Sequence, residues 1–431
     1  LSGVNERFGP AAAGALSPDD PSMERSRQEA ATAAATVGWP STETEEWRYS
    51  PIDDLALDEL GPAVQPPVGI DAETAALNAD PVVAADGERA ATITIIDGWV
   101  VSVSIDPGWA AKGLEITTTA GAPEEPIGNR IGGSRGETAF DLLHRAFCPA
   151  AVTVTVPVGL SVREPVVVHN LHLGDGTASF PHLVVEGGEG SDVAVIEHNC
   201  SGAGLGLSVP VVELHAGPAA RIRYHALQDL GRAHWQVERQ VSTVAQQASL
   251  ITGLAAFGGC YARLRADGFL TGPGASAQLS TAYYGDDDQV HDFRIFQHHS
   301  AADTHSDLLF KGAQDDASGS IYTGLIHIHP EGARSDAFQT NRNVKLSPEA
   351  WAWSVPNLEI ENNEVHCSHA STVSPIDEDQ RFYLASRGVP PVVADRLIVA
   401  GFFDEVVDRM SPSIRDAVTQ RIAAKLDRRT R

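Results

Sequence analysis

Hydrophobic and polar positions alternate along most of this chain. From about residue 91, short β-branched runs recur as ATITIIDGWVVSVSID (91–106), AVTVTVPVGLSV (151–162), EPVVVHNLHL (164–173) and PHLVVEGGEGSDVAVIEH (181–198), separated by Gly, Pro or Asp. A period of two sends successive side chains to opposite faces of a strand, so these runs predict strands. The alternation continues to about residue 370. Within it a Gly-led turn feeding a strand returns, at Gly217-Pro218-Ala219-Ala220, Gly274-Ala275-Ser276 and Gly332-Ala333-Arg334-Ser335. Many short strands joined by a recurring turn predict a mainly β fold. A stacked parallel β-helix is preferred, ahead of a double-sheet β domain and of any α/β alternation.

The period changes at both ends. Residues 21–37, PSMERSRQEAATAAATV, are rich in good helix formers, start on Pro and are stopped by Gly38 and Pro40, which predicts a helix. Glu45-Glu46-Trp47-Arg48-Tyr49 follows, and then a Pro- and Ala-rich tether to about Asp86. At the other end, Asp377-Glu378-Asp379-Gln380 opens a helix that Gly388 closes. Residues 391–410 and 411–429 read as two more, the first with Val392, Val393, Leu397, Ile398, Phe402, Val406 and Met410 near helical spacing. The expected organisation is a helical region and linker over 1–88, a β core over 89–372 and a helical domain over 373–431.

Charge removes one class of partner. The 431 residues carry 31 Lys+Arg against 57 Asp+Glu, a formal net charge of −26. Such a surface repels the phosphate backbone that a basic one would bind through counterion release, so nucleic acid is not expected. No apolar run reaches the roughly 18 residues of a membrane span, and none is expected. Residues 1–20 hold no basic segment followed by an apolar block, so no export signal is expected in them. Cys148, Cys200, Cys260 and Cys367 stand singly with no C-x-x-C, which argues against a disulfide framework or zinc ribbon. A cytoplasmic location follows as the expectation.

Few residues present themselves for chemistry. There is no Walker motif, and Gly187-Gly188-Glu189-Gly190 puts a carboxylate where phosphate would sit, so it reads as a strand turn. No G-x-S-x-G elbow occurs, and Cys148, Cys200 and Cys260 lie in apolar or Gly-rich runs that suit buried, inert thiols. Histidine is abundant at 16, with His298-His299 near His305, His327-x-His329, and Cys367-x-His369. Residues two apart on a strand share a face, so His327 and His329 can share a metal, as can Cys367 and His369. The thiolate–imidazole pair is the better ligand set, suited to iron, zinc or copper. Two imidazoles alone more often pair with strand neighbours or solvent. Asp286-Asp287-Asp288 and Asp315-Asp316 offer paired carboxylates for a carbohydrate-acting β-helical enzyme, although Asp runs are commoner as solvated turns.

The segment from Ser335 onward is more specific. Gln339-Thr340-Asn341-Arg342-Asn343, Pro356-Asn357-Leu358-Glu359-Ile360, Cys367-Ser368-His369-Ala370-Ser371-Thr372 and the run FYLASRG from Phe382 to Gly388 follow in order. Together with Glu45-Glu46-Trp47-Arg48-Tyr49 they resemble the SufB/SufD family of iron–sulfur cluster assembly proteins, over almost the whole chain. The Cys367-Ser368-His369 element is most similar to the SufD form, with Ala370 and Ser371 in place of its usual Gly and Ala. The resemblance implies a right-handed parallel β-helix between helical terminal domains. It implies a non-catalytic scaffold that pairs with a SufB-like paralogue through the β-helix, and carries a SufC-like ATPase on its C-terminal helical domain. Leu397, Phe402 and Phe403 are then the candidates for that docking, with a plain helix-packing core as the equal alternative for the same stripe. No tightly bound cofactor is implied in the chain alone. A transient iron–sulfur cluster would be shared with SufB at the interface, with His369 and Cys367 as its candidate ligands here. A SufB-like or homodimeric scaffold is the alternative within the family.

Overall fold

Two parallel sheets wind around each other because consecutive strands alternate between them, each bonding to the strand one coil earlier and one coil later. The first sheet runs from Ala150–Val156 through His182–Gly187, Val211–Ala216, His234–Val244, Tyr261–Leu270, Val290–His299 and Gly319–Ile328 to Trp351–Ile360. The second runs from Ala91–Ile96 through Val166–His172, Asp192–Ser201, Arg221–Asp229, Ser249–Ala256, Ser276–Gly285, His305–Gln314 and Asp336–Lys345 to His366–Pro375. Together they make a β-solenoid of about eight turns, so the chain is mainly β with helices at both ends. In this computed structural model, residues 6–17, 19–67, 88–122 and 137–429 are described. The Pro- and Ala-rich tether lies, over 68–87, outside the described residues.

Inward side chains fill the solenoid. Tyr283, Phe293, Phe310 and Tyr322 pass ring contacts from coil to coil, with centroids 4.7, 5.4 and 4.8 Å apart, the offset and edge geometry aromatic quadrupoles favour. What repeats at the corners is a conformation, not a residue. Gly190, Ala219, Gln247, Gly274, Asp303 and Arg334 all have positive φ, each two residues before a strand of the second sheet. A non-glycine there costs about 1–3 kcal/mol. Each of the six N–H groups donates to a carbonyl of the next coil's turn, as Ala219 does to Gln246 (2.8 Å) and Asp303 to Ala333 (2.9 Å).

The N-terminal helix Pro21–Thr36, capped by Asp20, covers the outside of the first sheet. Its buried Arg27 donates to the carbonyls of Ala146 (2.9 Å) and Cys148 (2.7 Å). Those acceptors end a helix, Ala139–Phe147, that interrupts the region expected to be strand throughout. Its signal was present in the Thr138/Asp141 capping box and in the apolar face of Phe140, Leu143 and Phe147. At the other end, helices Glu378–Ser386, Pro391–Asp408 and Pro412–Arg428 follow. Val399, Phe403, Val406, Ile414, Val418 and Ile422 pack on the outside of the second sheet. Phe403 is therefore core. Phe402 is partly buried beside Lys311, whose ammonium donates to its carbonyl at 2.9 Å. Of the three expected docking residues, Leu397 alone stands well exposed. Among the described residues no helix is long and apolar enough to cross a membrane.

The carboxylates considered for carbohydrate chemistry are corner residues that clamp the last helix. Asp286 pairs with Lys425 and with Arg232 (2.6 Å), and Asp315 with Arg429 (3.3 Å).

Several histidines are buried neutral. Burial pushes His144, His234, His291 and His299 down to about 3. In the unfolded chain each would take a proton near pH 6.5. A depressed folded pKa gives stability that is present above pH 6.5 and is lost as pH falls towards 3. Glu238, pushed up to about 8 by burial and then by Glu197, and Glu197, itself pushed up by burial, oppose this but are outnumbered by the four imidazoles. Denaturation midpoints should therefore fall steadily from pH 7 to pH 5; a flat or rising profile would refute buried neutral histidines.

Candidate functional site

The solenoid ends in two edge strands, Trp351–Ile360 and His366–Pro375, each paired on one side only. On the second sheet, Ala337, Gln339, Asn341 and Asn343 of the preceding strand are all buried, because alternate residues face the interior. The register sets Cys367 over Ala337 and His369 over Gln339. The two candidate ligands thus share the inward face, at the open mouth of the last coil. His369 is exposed and Cys367 half-buried against the core. Burial, and then the nearby Asp336 carboxylate, pushes the Cys367 thiol up.

A polar rung lies directly beneath. Tyr322 donates its hydroxyl to Gln339 Oε1 (2.9 Å), Tyr283 donates to Asn343 Oδ1 (2.7 Å), and Asn343 Nδ2 donates to Asn341 Oδ1. Gln339 Nε2 and Asn341 Nδ2 remain buried donors with no partner among the described residues, a costly state unless something completes it. The spacing of Gln339, Asn341 and Asn343 is thereby explained: three alternate residues form one inward rung under the mouth. Gly324 makes the room, since a Cβ there would lie 1.9 Å from Gln339 Oε1.

Around the mouth the surface is unusually apolar. Phe338, Trp353 (49% exposed), Val355, Ile360 and Val373 all show. Nearby, an open groove of about 810 Å³ runs between the end of the last strand and the helices Glu378–Ser386 and Pro391–Asp408, lined by Thr372, Pro375, Tyr383, Leu384, Leu397 and Phe402. Phe382 (75% exposed) and Tyr383 stand beside it. These two aromatics belong to the FYLASRG run, whose Gly388 takes the positive φ that closes the helix. The sequence marks Phe382 and Tyr383 only as part of that run and not as docking residues.

The N-terminal Glu45-Glu46-Trp47-Arg48-Tyr49 segment lies along the outside of the first sheet. Glu46 accepts from Arg263 (3.0 Å) and Arg265 (3.3 Å), Trp47 sits under the Arg263 guanidinium at 3.8 Å, and Tyr49 stacks on Trp353 at 4.7 Å. Behind it, the fully buried Asp292 accepts from Tyr261 (2.8 Å), Arg263 (2.8 Å) and Arg294 (2.6 Å). None of these partners was legible as a group, because they come together only through strand register.

A sequence model of the SUF system FeS cluster assembly SufBD core domain matches residues 170–402. The chain belongs to the SufBD family. An iron–sulfur cluster assembly SufBD family protein of Mycobacterium bovis is 34% identical over 288 residues, covering 64% of this chain and 72% of the relative. Iron-sulfur cluster assembly protein SufD of Escherichia coli is 23% identical over 407 residues, 90% of each chain. Protein ABCI7, chloroplastic, of Arabidopsis thaliana is 24% identical over 425 residues, 94% of this chain and 86% of the relative. The SufBD core match contains both edge strands, the polar rung, the first C-terminal helix and most of the second.

The remaining histidines sort by face. His299 points inward to Thr304 (2.7 Å) and Ser306 (2.8 Å). Its neighbour His298 points outward and meets His327 and His329 there. His298 and His299, adjacent in sequence, thus face opposite sides of the sheet, and His298 groups with histidines of the next strand. The thiols of Cys148 and Cys200 are pushed up to about 12 and that of Cys260 to about 11, all chiefly by burial, which suits inert positions.

Proposed function

We propose that this chain is a SufD-like, non-catalytic scaffold subunit on which an iron–sulfur cluster is built at a shared edge. The observation that carries this reading is the last coil. It combines free strand edges, an apolar rim and a thiol beside an imidazole, all at one open mouth. Free edges and exposed apolar surface are liabilities that persist where a partner covers them. A SufB-like paralogue that adds its own strands to these edges would cover the rim and bring further ligands to Cys367 and His369.

The pair supplies two donors, fewer than the four protein ligands that hold a whole cluster. A site completed only across the interface holds its cargo loosely enough to release it, so the cluster is product here and not resident cofactor. A SufC-like ATPase is assigned to the groove beside Phe382, Tyr383 and Leu397, where a nucleotide-driven movement of the helices would reach the end of the cluster strand through Thr372 and Pro375. In the absence of a paralogue, the same edge would pair with a second copy of this chain.

The test is anaerobic reconstitution of this chain with its SufB-like and SufC-like partners, followed by iron and sulfide analysis. The wild-type complex is expected to hold a cluster and the lone chain none. In His369→Ala, cluster yield should fall at least severalfold while the complex still assembles, as judged by co-elution. Undiminished yield in that variant would remove His369 from the site, and failure of the wild-type chains to associate would remove the scaffold reading.

A further inference from the structure

We propose that His298, His327 and His329, with Glu361 or Glu359, form a further metal site on the outer face of the first sheet, binding a first-row divalent cation of the zinc and iron(II) class. It rests on its own geometry and not on the scaffold reading. The ladder Phe269, His298, His327, Glu359 occupies one register position across four successive strands, so their side chains project side by side. His329, just past the end of its strand, is pinned by its N–H donating to the His299 carbonyl at 3.0 Å.

One nitrogen from each of the three rings lies within 4.8 Å of the other two, and a His327 nitrogen lies within the same distance of a carboxylate oxygen of Glu359 and of Glu361. The His327 and His329 rings are 3.9 Å apart, and His298 lies 5.6 and 5.7 Å from them. Phe269 stacks on His298 at 4.7 Å, nearly parallel, and so fixes its plane.

Ordinary polar packing explains this poorly. His329 Nε2 is 3.4 Å from His298 Nδ1, beyond the usual hydrogen-bond range. Three imidazoles that share lone-pair space, flanked by two carboxylates, instead match a His-rich set with an oxygen ligand. Zinc–nitrogen bonds of about 2.0–2.1 Å are reached from here by side-chain rotation. His327 Nε2 already holds Glu361 Oε1 at 2.6 Å, the arrangement by which a carboxylate orients a ligand imidazole or joins it on the metal. Cys367 and His369 face inward from the other sheet, so the two sites are separate.

The experiment uses the full chain, stripped with chelator and titrated with Zn²⁺ by calorimetry and with Co²⁺ by visible absorption. The equivalent held by the three imidazoles should bind to the wild type and persist in Cys367→Ser/His369→Ala, which removes any uptake at the cluster mouth. His327→Ala/His329→Ala should weaken it by more than the about 10–100-fold that loss of an outer-shell partner costs. Circular dichroism checks that this variant is folded. Should it be unfolded, His329→Ala alone decides, because that side chain is partly exposed beyond the strand. No stoichiometric uptake by the wild type, binding indifferent to the histidine variants, or binding lost in the Cys367/His369 variant would each overturn the proposal.

Discussion

Ser371→Pro should abolish association with a SufB-like partner while leaving the isolated chain folded. His366 donates its N–H to the Ser335 carbonyl at 2.9 Å, so it faces the neighbouring strand. Parallel pairing alternates, and the N–H groups of Cys367, His369, Ser371 and Val373 therefore point to the free edge. Proline is tolerated on an edge strand when its missing N–H is on the open side. It removes one donor and places ring carbons where a pairing strand must approach. Losing one interface hydrogen bond costs about 0.5–1.5 kcal/mol, and the steric block adds to it, so affinity should drop more than tenfold. Co-elution on a sizing column reads the result, with Ser371→Ala as the control that keeps the donor. An intact complex with the proline variant would show that the partner does not use this edge.

Asp292→Asn should cost about 3–5 kcal/mol of stability, the range for removing one partner of a buried ion pair. The fully buried carboxylate serves two guanidiniums and a tyrosine hydroxyl, and Arg263 and Arg294 are themselves almost wholly buried. The isosteric amide removes the carboxylate that Arg294 is paired with and leaves Arg263 with the half-buried Glu46 alone. Arg263 also carries Glu46 and Trp47, so the N-terminal segment should loosen as well and become more protease-sensitive near residue 46. A shift in the denaturation midpoint worth less than about 1 kcal/mol would mean that the charges are not held as a closed set.

Much of this was legible from the order of residues. Alternation in runs such as 151–162 reports strands because a one-sided burial demands period two, and Pro21 and Gly388 punctuate helices through backbone constraints that are local. The Cys367/His369 pair was legible for the same reason, as two residues on one strand face. Contacts between coils were not. His298 finds His327, and Asp292 finds Arg263, because turns of a certain length bring those positions into register, and a one-residue change in a corner would reassign every partner. The 139–147 helix was hidden by its apolar content, which resembles a buried strand when capping is not weighed. Phe403 was misplaced because a helix apolar around most of its girth does not disclose which stripe meets the sheet.

The strap across the first sheet has a consequence for synthesis. A solenoid is expected to grow coil by coil, each new turn templating on the last. Here an early segment has its seat on strands made much later: Glu46 needs Arg263 and Arg265 from the middle of the solenoid, and Tyr49 needs Trp353 from its last coil. The first fifty residues must therefore leave the ribosome well before their docking surface exists. Until the last coils emerge, the apolar face of that segment stays uncovered, a natural handle for chaperones, and its closure marks the moment the polypeptide is complete through its final coil.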